Sequence, residues 1–444
     1  MAVERMETAK VMETAKVAVV GFGTIGSGAV KLLLEQSERL ARAVGRKVEL
    51  VQIVDPDVTR PRGVDVPDGL LTDDLCKVLD NREITAVIQL IGGIEPARTV
   101  MLKLLESGKN VITANKALLA EHGPELFAKA RKVGRSIAFE AAVAGGIPII
   151  AAIGQSLAAN RIESIHAILN GTSNFILTRM EEQGTDYASV VAEAQRLGYA
   201  EANPAMDVDG TDAAQKLTIL AHLAFGARPN WRAIRRVGID TVELADIRFA
   251  NELGYTIKLL AVAELTNQGL ELHVSPTLVR RHAPLAGVRE AFNAIHVVGD
   301  AVGRVFFHGL GAGQMPTASA VIADLIDTLV GRTAITFKTL ALWAEDRNAP
   351  VPVRDAAEVR GRFYLRLKVE DRPGVLAEIS GILGRHDISI ASVIQHEKDK
   401  PAEGVVPLVI MTHAAPEGAL DAALGAMGRL PCVRPGTVRL RVRD

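Results

Sequence analysis

Val17-Ala18-Val19-Val20-Gly21-Phe22-Gly23-Thr24-Ile25-Gly26 is the stretch that decides the fold of the first part of the chain. The apolar run Val17–Val20 predicts a buried strand, and the pattern from Thr24 to Val44 predicts a helix. Glycines spaced G-x-G-x-x-G at such a turn let the chain turn tightly, leave room for a pyrophosphate and let the helix pack on the strand. We therefore predict a dinucleotide-binding turn rather than a purely structural one. Its residues are Gly21, Phe22, Gly23, Thr24, Ile25 and Gly26.

Strands and helices alternate through the rest of the first third of the chain, which predicts βαβ units and a parallel sheet. The further strands predicted there are Val48–Val54, Ala86–Ile91, Asn110–Thr113 and Ser136–Glu140. The further helices are Pro96–Ser107 and Glu125–Lys132. Residues 16–149 are therefore expected to form an α/β domain of the Rossmann type.

Near residue 150 the pattern changes to that of an α+β region, which we assign to residues 150–304 and expect to carry the substrate site and dimer contacts. Its predicted elements are the strand Ile162–Leu169, the helices Ser173–Glu182, Tyr187–Leu197 and Asp209–Phe225, and the antiparallel strands Ile257–Leu265 and Leu270–Pro276. Helix Pro316–Val330 is expected to return to the first domain, so that about residues 305–330 complete it. After a connector at 331–360, residues 361–444 predict a ferredoxin-like βαββαβ domain.

The composition argues against a nucleic-acid-binding protein. The 444 residues carry a formal net charge of −1, whereas a nucleic-acid-binding protein needs a basic surface. The N-terminus carries a tandem Met-Glu-Thr-Ala-Lys-Val, at Met6–Val11 and Met12–Val17, and lacks the apolar core of a signal peptide. Because the second copy leads into the first strand, we interpret residues 1–15 as a mobile extension.

No feature of the chain predicts a membrane or secreted protein. The uncharged stretch Ala141–Asn160 contains three glycines and a proline, which favours a strand, a turn and a buried helix over a membrane span. The chain has two cysteines, Cys76 and Cys432, far apart in sequence, and they predict no disulfide framework. A cytoplasmic location is the simplest expectation.

Residues after the second predicted strand bear on the choice between NAD and NADP. An acidic residue at the end of that strand can bind the adenosine ribose of NAD, whereas a basic residue nearby can bind the 2′-phosphate of NADP. Asp55 and Asp57 suit the first cofactor, and Arg60 and Arg62 suit the second. The choice stays open, although the acidic pair favours acceptance of NAD.

Ionisable residues in the middle of the chain suit a small amino acid that bears a hydroxyl group. Asp212 and Lys216 are four residues apart on a predicted helix and so share a face. Glu201 lies in the loop before that helix. Carboxylates can bind a substrate ammonium group, and a partly buried lysine can exchange a proton with a reacting oxygen. The alternative is an ordinary exposed ion pair on the helix surface.

Several segments of the chain resemble homoserine dehydrogenases. They are Thr113–Lys116, Glu140–Pro148, Leu169–Phe175, Gly198–Pro204, Asp207–Lys216, Gly311–Gly313 and Pro316–Ala320. They follow one another in the order of the family between residues 17 and 330. The resemblance implies reversible, NAD(P)-dependent interconversion of L-homoserine and L-aspartate 4-semialdehyde, a step in the biosynthesis of threonine, methionine and isoleucine.

The resemblance also implies roles for individual residues. Lys216 would exchange the proton at the substrate oxygen, and Lys116 would lie between nicotinamide and substrate. The substrate-binding residues would be Glu201, Asp207, Asp212 and Lys216. The cofactor-binding residues would be those of the glycine turn with Gly93, Lys116 and Gly313. A sodium ion would be held by backbone oxygens of Glu140, Val143, Gly145 and Ile147.

One position departs from the family pattern. Many relatives carry Arg-Asp after the second strand, where this chain has Pro56-Asp57. The departure weakens the inference of strict NADP use, so the expected cofactor is NADP or NAD.

The last 80 or so residues resemble the ACT regulatory domain in their element order and in the turn Asp371-Arg372-Pro373-Gly374-Val375-Leu376. ACT domains pair side by side and bind amino acids, and the family suggests feedback inhibition by L-threonine. The alternative is a domain that only dimerises. We expect a homodimer or homotetramer, because the antiparallel strands of the middle region need their outer face or edge covered.

Overall fold

A computed structural model describes residues 14–201, 203–344, 349–396 and 404–443. The chain divides into two units, residues 1–151 with 312–347 and residues 152–311 with 348–444. Residues 1–13 of the predicted N-terminal extension lie outside the described residues. Thr14 and Ala15 already belong to the first strand.

The first unit is built on a parallel sheet of six strands. They are β1 (Thr14–Val20), β2 (Lys47–Val54), β3 (Leu71–Thr72), β4 (Ile84–Gln89), β5 (Asn110–Thr113) and β6 (Ile137–Ala138). Their order in the sheet is β3-β2-β1-β4-β5-β6. The loops after β1 and β4 therefore meet at the point where the strand order reverses, which is where this class of fold binds ligands.

The helices before residue 152 flank that sheet. They are α1 (Thr24–Glu35), α2 (Ser37–Val44), α3 (Cys76–Leu79), α4 (Ala97–Glu106), α5 (Lys116–Lys132) and α6 (Ile149–Ala151). The helix predicted over Thr24–Val44 is in fact two helices, because Gln36 leaves helical geometry. The polar stretch from Glu35 to Arg39 offers no apolar side chain to hold a continuous helix in place.

The stretch around Glu140 also differs from the prediction. The strand predicted over Ser136–Glu140 narrows to Ile137–Ala138, because the backbone N–H of Glu140 donates to Asp324. The uncharged stretch Ala141–Asn160 includes the end of a 3₁₀ turn, helix α6 and a π-helical turn at Ala152–Ser156. Among the described residues, no helix combines the length and apolar character that crossing a bilayer requires.

The second unit begins with a mixed region of helices and strands. Its elements up to residue 311 are β7 (Ile162–Ile168), α7 (Gly171–Gln183), α8 (Tyr187–Arg196), α9 (Ala205–Val208), α10 (Thr211–Phe225), β8 (Arg235–Arg236), α11 (Leu244–Glu252), β9 (Tyr255–Thr266), β10 (Gly269–Arg280), β11 (Phe292–Gly299) and β12 (Gly303–Leu310). The last two strands lie where the sequence pattern predicts no element. In β12 neighbouring apolar side chains fall on opposite faces, and Phe306 is exposed.

The chain then returns to the first unit through α12 (Gln314–Leu329) and α13 (Arg332–Leu340). Helix α12 shares one buried core with β1 and α1, to which it contributes Val321 and Leu325. Helix α13 lies in a stretch for which the sequence predicts only a connector. None of its side chains is fully buried, so the apolar periodicity that reveals a helix is missing.

The C-terminal elements confirm the predicted ferredoxin-like order. They are β13 (Arg360–Glu370), α14 (Val375–Arg385), β14 (Ile390–Ile394), β15 (Val405–Thr412), the two-residue β16 (Ala415–Pro416), α15 (Glu417–Met427) and β17 (Val433–Arg443). The four long strands lie in the order β17-β13-β15-β14. Both helices pack on this sheet in a core of their own, around Phe363 and Leu420.

This C-terminal sheet is continuous with the sheet of the middle region. Strand β17 pairs in parallel with β10, where Thr277–Val279 faces Arg441–Arg443. The result is one path of strands, β12-β11-β7-β9-β10-β17-β13-β15-β14. The second unit is thus held together by backbone hydrogen bonds along its whole width.

A buried ion pair reinforces the same junction. The carboxylate of Asp246 on α11 accepts hydrogen bonds from the guanidinium of Arg366 at 2.6 and 3.0 Å and from the Tyr364 hydroxyl at 2.9 Å. These three side chains are at most 1% exposed. A buried charge is stable only when it is paired, so this contact fixes the C-terminal domain against α11.

Candidate active site

The glycine turn has the geometry that its sequence predicts. Gly21 has φ 96°, and a Cβ atom there would lie 2.8 Å from the backbone of Leu90. A Cβ atom at Gly26 would lie 2.1 Å from the carbonyl oxygen of Gly21. At Gly23 nothing lies within 4 Å of the position of a Cβ atom. The turn is therefore tight at both ends and open in the middle, at the first N–H groups of α1, where a phosphate binds well.

The acidic and basic candidates for ribose recognition lie side by side. Asp55 accepts hydrogen bonds from the backbone N–H of Phe22 at 2.7 Å and from the guanidinium of Arg62 at 2.9 Å. That guanidinium also lies over the Phe22 ring, 4.9 Å from its centre. The backbone N–H groups of Arg60 and Thr59 donate to Asp57 and lower the pKa of its carboxyl group. One wall of the open turn thus carries both charges.

Lys116 and Gly93 lie on neighbouring loops that one side chain holds together. The Asn115 amide donates to the carbonyl oxygens of Ile91 at 2.9 Å and Gly93 at 2.6 Å. Its oxygen accepts the backbone N–H of Leu118 and so caps α5. Lys116 is the first residue of that helix and is half-buried. Gly313, the last cofactor candidate, immediately precedes α12.

The four candidates for cation ligands lie in one buried turn. Glu140, Val143, Gly145 and Ile147 are all buried, and Ala144 between them adopts a left-handed backbone with φ 52°. The Glu140 carboxylate accepts the backbone N–H groups of Ile150 and Ala151, each at 2.8 Å. Burial raises the pKa of Glu140 to about 7. In the part of the chain that the structure describes, no cluster of His, Cys, Asp and Glu side chains could hold a metal ion.

In the second unit, Asp212 and Lys216 form a buried pair on α10. The Lys216 Nζ donates to Asp212 Oδ2 and to the backbone carbonyl of Leu169, both at 2.7 Å. Lys216 is 8% exposed and Asp212 is 4% exposed. The alternative of an exposed surface pair is therefore wrong, and the pair is anchored to the end of β7.

Asn170 organises this cluster, although no single-residue signal in the sequence marks it as a site residue. Its Nδ2 donates to Asp207 at 2.8 Å and to Asp212 at 3.0 Å, so both amide hydrogens reach carboxylates. Its Oδ1 accepts the backbone N–H of Ser173 and caps α7. An asparagine just before a helix is read from sequence as a cap. Its second role, binding the carboxylates of Asp207 and Asp212, depends on the tertiary contacts that place α9 and α10 beside it.

Glu201 lies in the loop before α9, and its side chain is exposed. Its backbone carbonyl accepts a hydrogen bond from Gln195 at 3.2 Å. Two residues earlier, the backbone carbonyl of Tyr199 accepts the Thr172 hydroxyl at 2.7 Å. The structure therefore brings Asp207, Asp212 and Lys216 into one cluster. It leaves the Glu201 carboxylate exposed on the loop that leads to them.

A second buried lysine supports the start of α7 from another side. The Lys258 Nζ donates to Asn174 Oδ1 at 3.0 Å and to the carbonyl of Val288. The Asn174 amide in turn donates to Glu290 O at 2.8 Å. Lys258 is fully buried, and this burial lowers its pKa to about 7. The first turn of α7, which carries Asn170 at its cap, is thus fixed at both ends.

Comparisons with known proteins agree with this geometry. Residues 148–326 match the family model described as homoserine dehydrogenase, and residues 21–140 match its NAD-binding domain. The homoserine dehydrogenase of Pseudomonas aeruginosa is 44% identical over 98% of this chain and 100% of its own length. The chain belongs to the homoserine dehydrogenase family. Family members are oxidoreductases that act on a CH–OH group, as the sequence predicts for this chain.

Residues 363–431 match the family model of the ACT domain. Solved structures of relatives also resemble this chain. A homoserine dehydrogenase from Thiobacillus denitrificans has a TM-score of 0.90 and 42% identity, covering 98% of this chain and 99% of its own. A hyperthermophilic archaeal homoserine dehydrogenase in complex with NADPH has a TM-score of 0.61 and 25% identity, covering 72% of this chain and 98% of its own. The predicted three-part fold is confirmed.

Replacing Lys258 with methionine should flatten the dependence of stability on pH. In the folded protein burial holds the pKa of Lys258 at about 7, whereas in the unfolded chain it is about 10.4. Between these two pH values Lys258 is protonated in the unfolded chain but largely neutral in the folded protein. The free energy of unfolding of the wild type therefore rises with pH, by at most ~1.4 kcal/mol per pH unit. Urea denaturation between about pH 7 and 10 measures this slope.

Lys31 provides the control, because its side chain is 44% exposed and Lys31→Met should keep the wild-type slope. Identical slopes for the wild type and Lys258→Met would contradict a neutral Lys258 in the fold.

Proposed function

We propose that this chain interconverts L-homoserine and L-aspartate 4-semialdehyde with a nicotinamide cofactor. The observation that carries the proposal is the buried Asp212–Lys216 pair, which is held by the Leu169 carbonyl and the Asn170 amide. A buried lysine beside carboxylates suits this reaction, because its neutral amine can accept the proton of the substrate alcohol and its ammonium form can return it. The open glycine turn of the first unit fits the cofactor, because Gly23 leaves space for a pyrophosphate.

A nicotinamide cofactor held at the glycine turn Gly21–Gly26 would supply hydride transfer, to or from C4 of the substrate. Lys216, as the neutral amine, takes the hydroxyl proton during oxidation, and its ammonium form donates that proton to the aldehyde oxygen during reduction. Asp212 holds the Nζ of Lys216 in place at 2.7 Å, so that little reorganisation is needed as charge develops on the oxygen. Lys116, at the start of α5, would orient the reactants and assist proton transfer.

The carboxylates bind the ammonium group of the substrate. Asp207 and Asp212 share the Asn170 amide and so lie close to each other. The exposed carboxylate of Glu201 is available to a ligand that enters from solvent. Holding the amino acid by its ammonium group at this cluster would bring its hydroxyl group to Lys216. Such positioning accounts for a large part of the rate enhancement of a bimolecular reaction.

Both nicotinamide cofactors are proposed to serve. Asp55 suits the ribose hydroxyls of NAD, whereas Arg62 at 2.9 Å from that carboxylate suits the 2′-phosphate of NADP. The 2′-phosphate of NADP would attract Arg62 away from Asp55, whereas NAD, which lacks this phosphate, would leave the ion pair of Arg62 and Asp55 intact. The archaeal relative in complex with NADPH supports acceptance of the phosphorylated cofactor.

A sodium ion at the Glu140 turn is part of the proposal. The Glu140 carboxylate is committed to Ile150 and Ala151, so the ligands would be the backbone oxygens of Glu140, Val143, Gly145 and Ile147. Carbonyl oxygens suit a hard cation. The left-handed Ala144 supports the idea, because a non-glycine residue in that conformation needs a compensating interaction. Loss of activity in sodium-free buffer, with recovery on adding NaCl, would support it.

A homodimer or homotetramer is proposed from the outer strands of the long sheet. Strand β12 ends the sheet and exposes Phe306 at 38% and Leu310 at 44%. Apolar side chains on an unpaired strand edge favour burial against a second copy of the chain. Light scattering in solution tests this.

A cytoplasmic location is proposed as well. The unpaired cysteines Cys76 and Cys432 support it, and fractionation of the native cell tests it.

Feedback inhibition by L-threonine through the ACT domain completes the proposal. Gly374 has φ 92° and precedes α14, whose N-terminus attracts a carboxylate. A signal from this domain would have a direct route to the middle region. That route is the β10–β17 pairing and the contact of Asp246 with Arg366.

Replacing Lys216 with alanine should abolish most turnover and leave cofactor binding intact. General acid–base groups contribute about 10²–10⁴-fold to rate, whereas the glycine turn lies in the other unit. Homoserine-dependent reduction of NAD and NADP measures turnover, and fluorescence titration with NADPH measures binding. Lys31→Met, at a half-exposed lysine outside the cluster, serves as the control. Turnover of Lys216→Ala within tenfold of wild type would refute this role.

NADH and NADPH should support aspartate-semialdehyde reduction at comparable rates, because Asp55 and Arg62 offer a partner to each. Arg62→Leu should raise KM for NADPH by about tenfold or more, the effect of losing one charge-assisted contact. KM for NADH should change little. Parallel steady-state kinetics on both cofactors check this. A thousandfold preference of the wild type for NADPH would rule out dual use.

L-Threonine should inhibit the full-length enzyme, and Gly374→Ala should relieve the inhibition without changing basal turnover. An alanine at φ 92° is strained and disturbs the start of α14. Gly45→Ala is a matched control, because Gly45 also has positive φ and open space around it. Equal inhibition of all three proteins would place threonine elsewhere, and no inhibition of the wild type would favour a domain that only dimerises.

A further inference from the structure

Asn293 on β11 carries a buried amide group without a hydrogen-bond partner. The side chain is 1% exposed, and among the described residues neither its Oδ1 nor its Nδ2 finds a donor or acceptor. Buried polar groups in native proteins are almost always hydrogen-bonded, so an exception calls for a ligand or an ordered water.

Two glycines of the second unit border this amide. A Cβ atom at Gly311 would lie 2.0 Å from Asn293 Nδ2. A Cβ atom at Gly171 would lie 2.6 Å from the carbonyl oxygen of Ala291 and 3.5 Å from Asn293 Oδ1. The amide thus lies against the backbone at Gly311 and close to the first residue of α7. Neither glycine position has room for a side chain.

The same amide lies next to the catalytic cluster. Ala294 pairs with Ile168 in the antiparallel ladder of β11 and β7, so the next position places Asn293 opposite Leu169. The Leu169 carbonyl is an acceptor of Lys216 Nζ. Gly171 directly follows Asn170, which holds both carboxylates of the cluster. Asn293 therefore lies beside the segment Leu169–Gly171, whose first two residues bind the side chains of the cluster.

An amino-acid substrate brings a carboxylate that the cluster itself cannot accommodate. Asp207, Asp212 and Glu201 are acidic and would repel it. The first turn of α7 has backbone N–H groups without intrahelical acceptors and the positive end of the helix dipole. The unpartnered Asn293 amide borders this turn, with its Oδ1 near Gly171 and its Nδ2 against Gly311, and a rotation of the amide about its last bond brings the donor to a carboxylate bound there.

We propose that Asn293 is a specificity-determining residue whose Nδ2 donates to the α-carboxylate of the amino-acid substrate at the first turn of α7. The inference rests on the proposed function, because it assumes a zwitterionic substrate at this cluster. Asn293 would select for α-amino acids over simple alcohols, and it takes no part in the hydride or proton transfer.

The decisive variant is Asn293→Leu, which keeps the branched shape and removes both polar atoms. KM for L-homoserine should rise about 10- to 100-fold, as expected on losing a hydrogen bond to a charged group, with a smaller change in kcat. KM for the cofactor should stay within twofold. The thermal midpoint should not fall, since the lost group has no partner in the fold. Asn293→Asp, of equal size but anionic, should raise KM further by repelling the carboxylate.

Asn160 provides the matched control in the same unit. Its amide donates to Leu157 O at 3.2 Å and its oxygen accepts the Val302 N–H at 2.8 Å. Asn160→Leu should therefore lower the thermal midpoint and leave KM unchanged, the reverse of the pattern for Asn293→Leu.

An unchanged KM in both Asn293→Leu and Asn293→Asp would overturn the inference and leave the proposed function standing, and Asn293→Asp decides alone if the leucine variant does not fold. A wild-type enzyme that fails to oxidise homoserine would instead overturn the proposed function, and the inference with it.

Discussion

The middle region depends on one constraint: a buried lysine and two carboxylates must all find hydrogen-bond partners at the end of β7. Lys216 reaches both Asp212 and the backbone carbonyl of Leu169. Asn170 divides its amide between Asp207 and Asp212. Losing any one partner would leave a charge or a donor buried without compensation, which costs several kcal/mol in general. The ends of β7, α7, α9 and α10 are therefore fixed relative to one another before any ligand arrives.

The same requirement for pairing of buried charge recurs at the junction with the C-terminal domain. Asp246 is enclosed by Arg366 and Tyr364, and Glu417 of the C-terminal domain forms an ion pair at 3.3 Å with Arg235 of the middle region. With the pairing of β10 and β17, these contacts make the ACT domain part of the sheet that carries β7. A chain ended near Arg360 would lose β17 and expose an edge of β10. Point substitutions in the ACT domain are for this reason better probes of regulation than truncation.

Features that depend on neighbouring residues could be predicted from sequence. The turn at Gly21–Gly26, the parallel first domain and the shared helical face of Asp212 and Lys216 all follow from local spacing. Contacts between distant segments could not be predicted. The Leu169 carbonyl carries no side-chain signal, and Asn170 has the sequence signature of a helix cap. Whether Asp212 and Lys216 form an exposed or a buried pair depends on which elements pack on α10, and no local sequence pattern shows this.

Strands β11 and β12 were missed for a related reason. Strand β12 lies at the sheet edge with both faces partly exposed, and β11 beside it is mostly buried, so neither sequence alternates clearly between apolar and polar residues. Because β11 was not predicted, Asn293 was not recognised as a candidate. Its amide is buried without a partner only because β11 pairs with β7. Two features identify Asn293, its buried amide without a partner and the glycines packed against it. Both depend on the three-dimensional fold.

The central claim is that this chain removes a hydride directly from the carbinol carbon of an amino acid bound at the Asp212–Lys216 cluster. L-Homoserine with both C4 hydrogens replaced by deuterium tests it most directly. Mass spectrometry of the reduced cofactor after turnover by the purified full-length chain should show one deuterium per molecule, with the second deuterium retained in the aldehyde. Reduced cofactor without deuterium, or no reduction of either NAD or NADP, would contradict the account.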